Sequence, residues 1–118
     1  MINMIRHTTT TEQILEAAPF TFYLTGSLYF KGYGNDIDYF AAWSPKIVEF
    51  LSKHPPFSRT IIHDYLDTQC LEIWQAPNIH IQLVRDAQHK MRVQTKLKTL
   101  GYSSPTTEEW NLAFLLIS

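Results

Sequence analysis

The sequence predicts an α+β domain, a small mixed β-sheet with helices packed against it, and three observations carry that expectation. Short apolar runs with a period of two occur at Phe20 to Leu24, Ile37 to Phe40 and Ile79 to Val84, the spacing of strands with one buried face. Helical stretches begin at Ser44-Pro45, at Asp86 and after Pro105. The two kinds of element are interspersed with no linker or internal repeat, so residues 1–118 read as one domain. A chain of this length buries roughly 65 to 70% of its unfolded surface, enough for one core without staples.

In chain order, Thr8 to Thr11 lead into a short helix, with Thr10 and Gln13 spaced as a capping box before Ile14, Leu15 and Ala18; Pro19 ends it. Phe20, Phe22 and Leu24 then alternate with Thr21, Tyr23 and Thr25, a strand that runs into Gly26-Ser27. One or two helical turns from Leu28 give way to a loop at Gly32, Gly34 and Asn35. Ile37, Tyr39 and Phe40 form a second strand on which Asp36 and Asp38 share a face. Ser44 caps a helix with Pro45 at its first position, carrying Ile47, Val48, Phe50 and Leu51 inward and stopping before Pro55-Pro56.

Ser58 to Asp67 fits helix or strand and stays open at this stage. Leu71 to Trp74 and Ile79 to Val84 flank Ala76-Pro77-Asn78 as a hairpin, with His80, Gln82 and Val84 on one face of the second strand. Asp86 to Leu100 is a helix with Met91, Val93, Leu97 and Leu100 as apolar members, closed by Gly101. A last helix has an acidic first turn at Glu108-Glu109 and a buried side of Trp110, Ala113, Phe114 and Ile117.

Composition narrows the function classes. Ten basic against eleven acidic residues leave a net charge of -1, so no global field draws the chain to nucleic acid or anionic lipid, and any nucleic-acid contact must be local. The best basic stretch, Arg85 to Lys98, reads as a solvated helix face. No apolar run approaches a membrane span and the start lacks the pattern of a signal peptide. The single Cys70 excludes an intramolecular disulfide, and a cytoplasmic location is expected. The five histidines lack zinc-ligand spacing.

The chemistry-bearing pattern is Gly26-Ser27 followed by Asp36-Ile37-Asp38. Two aspartates one residue apart on a strand repel by about 3 kcal/mol at ~5 Å and an effective dielectric near 20, a repulsion that a divalent cation turns into attraction. They read as a site for Mg2+ or Mn2+. A Gly-Ser turn after a strand offers unhindered N–H groups and one hydroxyl to phosphates, and Lys31 is the nearby cation in the sequence. Tyr29, Phe30 and Tyr33 are the aromatic candidates for a nucleobase.

The stretch LTGSLYFKGYGNDIDYF resembles the DNA polymerase β-like nucleotidyltransferase superfamily, whose pattern is Gly-Ser, a spacer of about ten residues and Asp-x-Asp. It looks closest to the small single-domain, minimal nucleotidyltransferases. The resemblance implies phosphate binding by Gly26 and Ser27 and metal binding by Asp36 and Asp38, with a nucleoside triphosphate as substrate. It implies metal-dependent transfer of a nucleotidyl group, AMP from ATP, to a hydroxyl on a protein, RNA or small molecule. The spacer Leu28 to Asn35 is eight residues, shorter than usual.

Active members also carry a third carboxylate on a later strand. In the corresponding strand the site-facing candidates are His80, which can serve as a base, and Gln82, which offers a metal only a neutral oxygen. Glu72 and Asp64 are the alternative acids. The departure keeps a second expectation open: a catalytically degenerate nucleotidyltransferase fold that binds a protein partner, as a toxin-neutralising or host-factor-binding module.

Overall fold

The computed structural model describes residues 10–54, 57–61 and 69–117. Its elements are α1 (Thr10–Ala17), β1 (Tyr23–Thr25), α2 (Gly26–Lys31), β2 (Ile37–Ala42), α3 (Pro45–Ser52), β3 (Ser58–Ile61), β4 (Cys70–Ala76), β5 (Ile79–Val84), α4 (Ala87–Thr99) and α5 (Thr107–Leu116). The five strands form one mixed sheet in the order β1-β2-β5-β4-β3. β2 and β5 run parallel, and the other neighbours are antiparallel. The α+β class expected from the sequence is the one observed.

Several local signals act as read. Ser44 accepts a hydrogen bond from the Ile47 N–H and Pro45 opens α3. Thr106 and Glu109 form a reciprocal capping box on α5, and Asp86 caps α4 through the His89 N–H. Ala76 pairs with Ile79 across Pro77-Asn78, and Asn78 takes the positive φ of 64° that closes the two-residue turn.

Other expectations are corrected. Thr10 is already helical, so it sits inside α1 instead of capping it. β1 is only three residues long, because Phe20 turns inward to pack edge-on against Phe50 of α3, at 5.6 Å between ring centroids, and takes the backbone off the ladder. Of the open segment Ser58 to Asp67, Ser58–Ile61 forms a strand, and residues 62–67 lie outside the described residues. Leu100, read as an apolar member of the helix that starts at Asp86, is exposed.

Strand register sorts the side chains onto two faces. One holds Ile37, Ile79, Ile81, Leu83 and Trp74, covered by Leu15 of α1 and by Ile47 and Leu51 of α3. The other holds Phe40, Cys70 and Val84 beneath Ala87 and Met91 of α4. α5 packs on α4 through Ala113, Val93 and Leu97, with Phe30 of α2 against the same cluster. This second face, walled by α2, α4 and α5, carries the candidate site.

Candidate functional site

At the end of β1 the chain must turn sharply into α2, and Gly26 does so at a φ of +68°. Register places Thr25 opposite Asp38 on the antiparallel β2. The approach is close: a Cβ at Gly26 would lie 2.3 Å from Asp38 Oδ2 and 3.0 Å from its Cγ. Only glycine satisfies both the backbone angle and that contact. Thr25 itself is fixed from behind by a hydrogen bond to the fully buried Gln94 of α4, whose amide also donates to the Leu24 carbonyl at 2.9 Å.

Asp38 and Ser27 line a cavity of about 310 Å³ together with Gln82 of β5, Lys90 of α4 and Trp110 of α5. Ser103 and Ser104, in the connection between α4 and α5, form its outer wall. Parallel pairing sets His80 beside Asp38 and Gln82 beside Phe40. His80 Nδ1 lies 3.1 Å from Asp38 Oδ1. In the tautomer that donates Nδ1–H to the carboxylate, Nε2 keeps its lone pair for a proton.

The residues singled out by the sequence are thus partly brought together. Gly26, Ser27, Asp38 and Gln82 meet at the cavity, and His80 joins them through Asp38. Asp36 precedes β2, is exposed, and does not line the cavity. Lys31 is exposed at the end of α2 and does not line it either. Of the three aromatic candidates Phe30 lines it, packed edge-on to Trp110 at 6.0 Å, whereas Tyr29 lies under Lys98 and Tyr33 is exposed.

Lys90 corrects the reading of Arg85 to Lys98 as a solvated face. Arg85, Arg92, Lys96 and Lys98 are exposed, but Lys90 is only 8% exposed and donates to Gln82 Oε1 at 2.9 Å. The signal was present in the spacing, since Lys90 falls on the stripe Ala87, Lys90, Val93, Gln94 and Leu97 that α4 buries.

Of the two alternative acids, Glu72 does not supply the missing carboxylate. Asp64 lies outside the described residues. Glu72 pairs with Leu83 and so occupies the opposite face of the sheet. There it accepts from Trp43 Nε1 at 2.6 Å, Trp74 Nε1 at 3.0 Å, and Arg59 Nε and Nη2 at 2.9 and 2.8 Å. Burial pushes its carboxyl upward, but the hydrogen bonds from Arg59, Trp43 and Trp74 and the Arg59 charge outweigh it and hold the group below the ordinary carboxylate value.

For a metal, the described residues contain no group of three or more His, Cys, Asp or Glu that could hold the ion by themselves. Mg2+ does not require one: it keeps several waters and is commonly bound by one or two carboxylates plus substrate phosphates. Asp38, which lines the cavity together with Ser27, fits that mode, in which ion and phosphates arrive together. Comparison of the chain with protein-family models, curated proteins and solved structures gives no match. Among the described residues no helix is long and apolar enough to cross a membrane.

Proposed function

We propose that this chain is a nucleotidyltransferase-like domain that binds a nucleoside triphosphate with Mg2+ or Mn2+ over the Gly26-Ser27 turn and transfers a nucleotidyl group, AMP from ATP, to a hydroxyl acceptor, with pyrophosphate as the leaving group. The observation that supports it best is the close approach of Gly26 to Asp38, which sets the Gly26-Ser27 turn directly against a carboxylate that lines a cavity. Asp38 would hold the ion, which when bound draws charge from the phosphates. Ser27 would donate its hydroxyl to a phosphate oxygen. His80 Nε2 would accept the proton of the attacking hydroxyl while Nδ1 stays on Asp38, a role worth about 10²-fold or more. The single buried Cys70 suits a reducing, cytoplasmic setting.

Incubation with labelled ATP, Mg2+ and a cell lysate tests this reading, with His80→Asn as the discriminating variant. Asparagine can keep a hydrogen bond to Asp38 but cannot take the proton. Nucleotide binding is expected to persist and labelled acceptor to fall about 100-fold; equal labelling by both proteins removes His80 from the mechanism.

A second reading is favoured by one observation: Gln82, where the resemblance calls for an acid, bonds to Lys90. In that reading the fold binds nucleotide or a protein partner without transfer, and Leu112, Leu115 and Leu116, exposed on α5, offer the partner an apolar surface. Nucleotide binding with no labelled acceptor selects it.

A further inference from the structure

We propose that Gln94 of α4 makes the Thr25 hydroxyl a pure acceptor at the cavity, a positioned neutral oxygen for the divalent ion beside Asp38. The proposal rests on the metal-nucleotide reading above, and adds to it a second oxygen for the ion and the buried residue that aims it.

The direction of that hydroxyl follows from its partner. Gln94 is fully buried, and its Nε2 donates to the Leu24 carbonyl at 2.9 Å. A carbonyl only accepts, so the amide fits one way round, with Oε1 toward Thr25. An amide oxygen also only accepts, and the Thr25 hydroxyl therefore donates to it. The single hydroxyl hydrogen is thus committed to α4, which leaves the oxygen its lone pairs. A helix cap would ordinarily use one of them. Thr25 stands at the N-cap of α2, yet its side chain accepts from no N–H of that helix.

The surroundings match a cation. Thr25 is 4% exposed, lines the 310 Å³ cavity, and is paired in register with Asp38. Directly opposed residues of antiparallel strands share a face, with their Cβ atoms about 5 Å apart. An oxygen that can only accept does not suit a phosphate oxygen, which needs a donor, but it suits a hard ion or a water in the ion's shell. The phosphate contact falls instead to Ser27 of the same cavity. Gln94 is a positioning residue in this arrangement: β1 lies at the sheet edge with β2 on one side, and the Gln94 amide holds its end from α4.

Titration calorimetry of Mn2+-ATP into the whole chain, with a thermal melt of each variant, tests the assignment. Thr25→Ser keeps the hydroxyl and should bind within about twofold of the wild type, whereas Thr25→Val keeps the shape, loses the oxygen and should bind about tenfold more weakly. Gln94→Leu should lose a similar factor, because the released hydroxyl can turn its hydrogen toward Asp38 and compete with the ion. Since Gln94 acts through Thr25, the double variant of Thr25→Val with Gln94→Leu should bind no more weakly than Thr25→Val alone. Should Gln94→Leu fold poorly, the two Thr25 variants decide. Equal affinity of the wild type and Thr25→Val, a loss in Thr25→Ser as large as in Thr25→Val, or additive losses in the double variant overturns the proposal. If Asp38→Asn weakens Mn2+-ATP binding and Thr25→Val does not, the Thr25 assignment alone falls; if neither does, or the wild type does not bind, the metal-nucleotide reading falls with it.

Discussion

Asp38 and Glu72 are carboxylates on neighbouring parts of one sheet, and they face opposite ways into opposite circumstances. Glu72 takes four hydrogen bonds from Trp43, Trp74 and Arg59 and is almost fully buried. Among the described residues Asp38 has His80 as its side-chain partner, and it lines a cavity. The first carboxylate has its lone pairs spent on the fold; the second keeps capacity for a ligand. An acidic residue's place in the sequence therefore says less about function than the face it occupies and the number of donors already aimed at it.

The sharpest way to break this contrast is Glu72→Ala. It strands the indole N–H of Trp74, which is 3% exposed, and that of Trp43, for a loss of about 3 kcal/mol in chemical denaturation. Nucleotide binding should be unaffected, and a loss of binding at matched fold would mean that the two faces are coupled. Glu72 also sets a pH dependence. Its folded pKa is lowered, so its stabilisation is fully present above the unfolded carboxylate value and fades as pH falls through the folded value. Melting of Glu72→Gln should lack that acid-side decline.

Gly26→Ala should cost about 2 kcal/mol, from left-handed backbone strain at φ +68° and from pushing Asp38 aside. Unlike Glu72→Ala it should also abolish metal-nucleotide binding. A variant of ordinary affinity would show that the turn and the carboxylate need not be in register. The smallest effect is Thr106→Ala, about 1 kcal/mol from an unfilled cap on α5. Because Pro105 and Trp110 border the cavity, a modest weakening of Mn2+-ATP binding should accompany it, and undisturbed binding would separate α5 from the site.

Where the signals are local the sequence was legible. Ser44-Pro45 and the Pro77-Asn78 turn dictate their own geometry, and Gly26-Ser27 ends a strand beside the one that bears Asp38. What escaped depends on pairing or packing. Asp36 shares a face with Asp38 only if the strand reaches it, and β2 starts at Ile37. The face of Glu72 is set by an irregularity between Cys70 and Glu72, so that two residues two apart point to opposite sides, Cys70 toward Phe40 and Glu72 toward Trp74. Lys90 was hidden by the habit of counting lysine as surface, although its spacing matched the buried stripe of α4.

The most direct measurement is calorimetric titration of Mn2+-ATP into the wild type, Asp38→Asn, Asp36→Asn and Glu72→Gln, with Mn2+ alone as the reference. Asp38 beside Gly26-Ser27 is expected to hold the ion only together with the phosphates. Mn2+ alone should therefore bind weakly, Mn2+-ATP should bind the wild type and Glu72→Gln alike, and Asp38→Asn should lose at least about tenfold in affinity. Asp36→Asn should lose less, since Asp36 lies outside β2 and away from the cavity. Equal affinity of the wild type and Asp38→Asn for Mn2+-ATP would contradict the account.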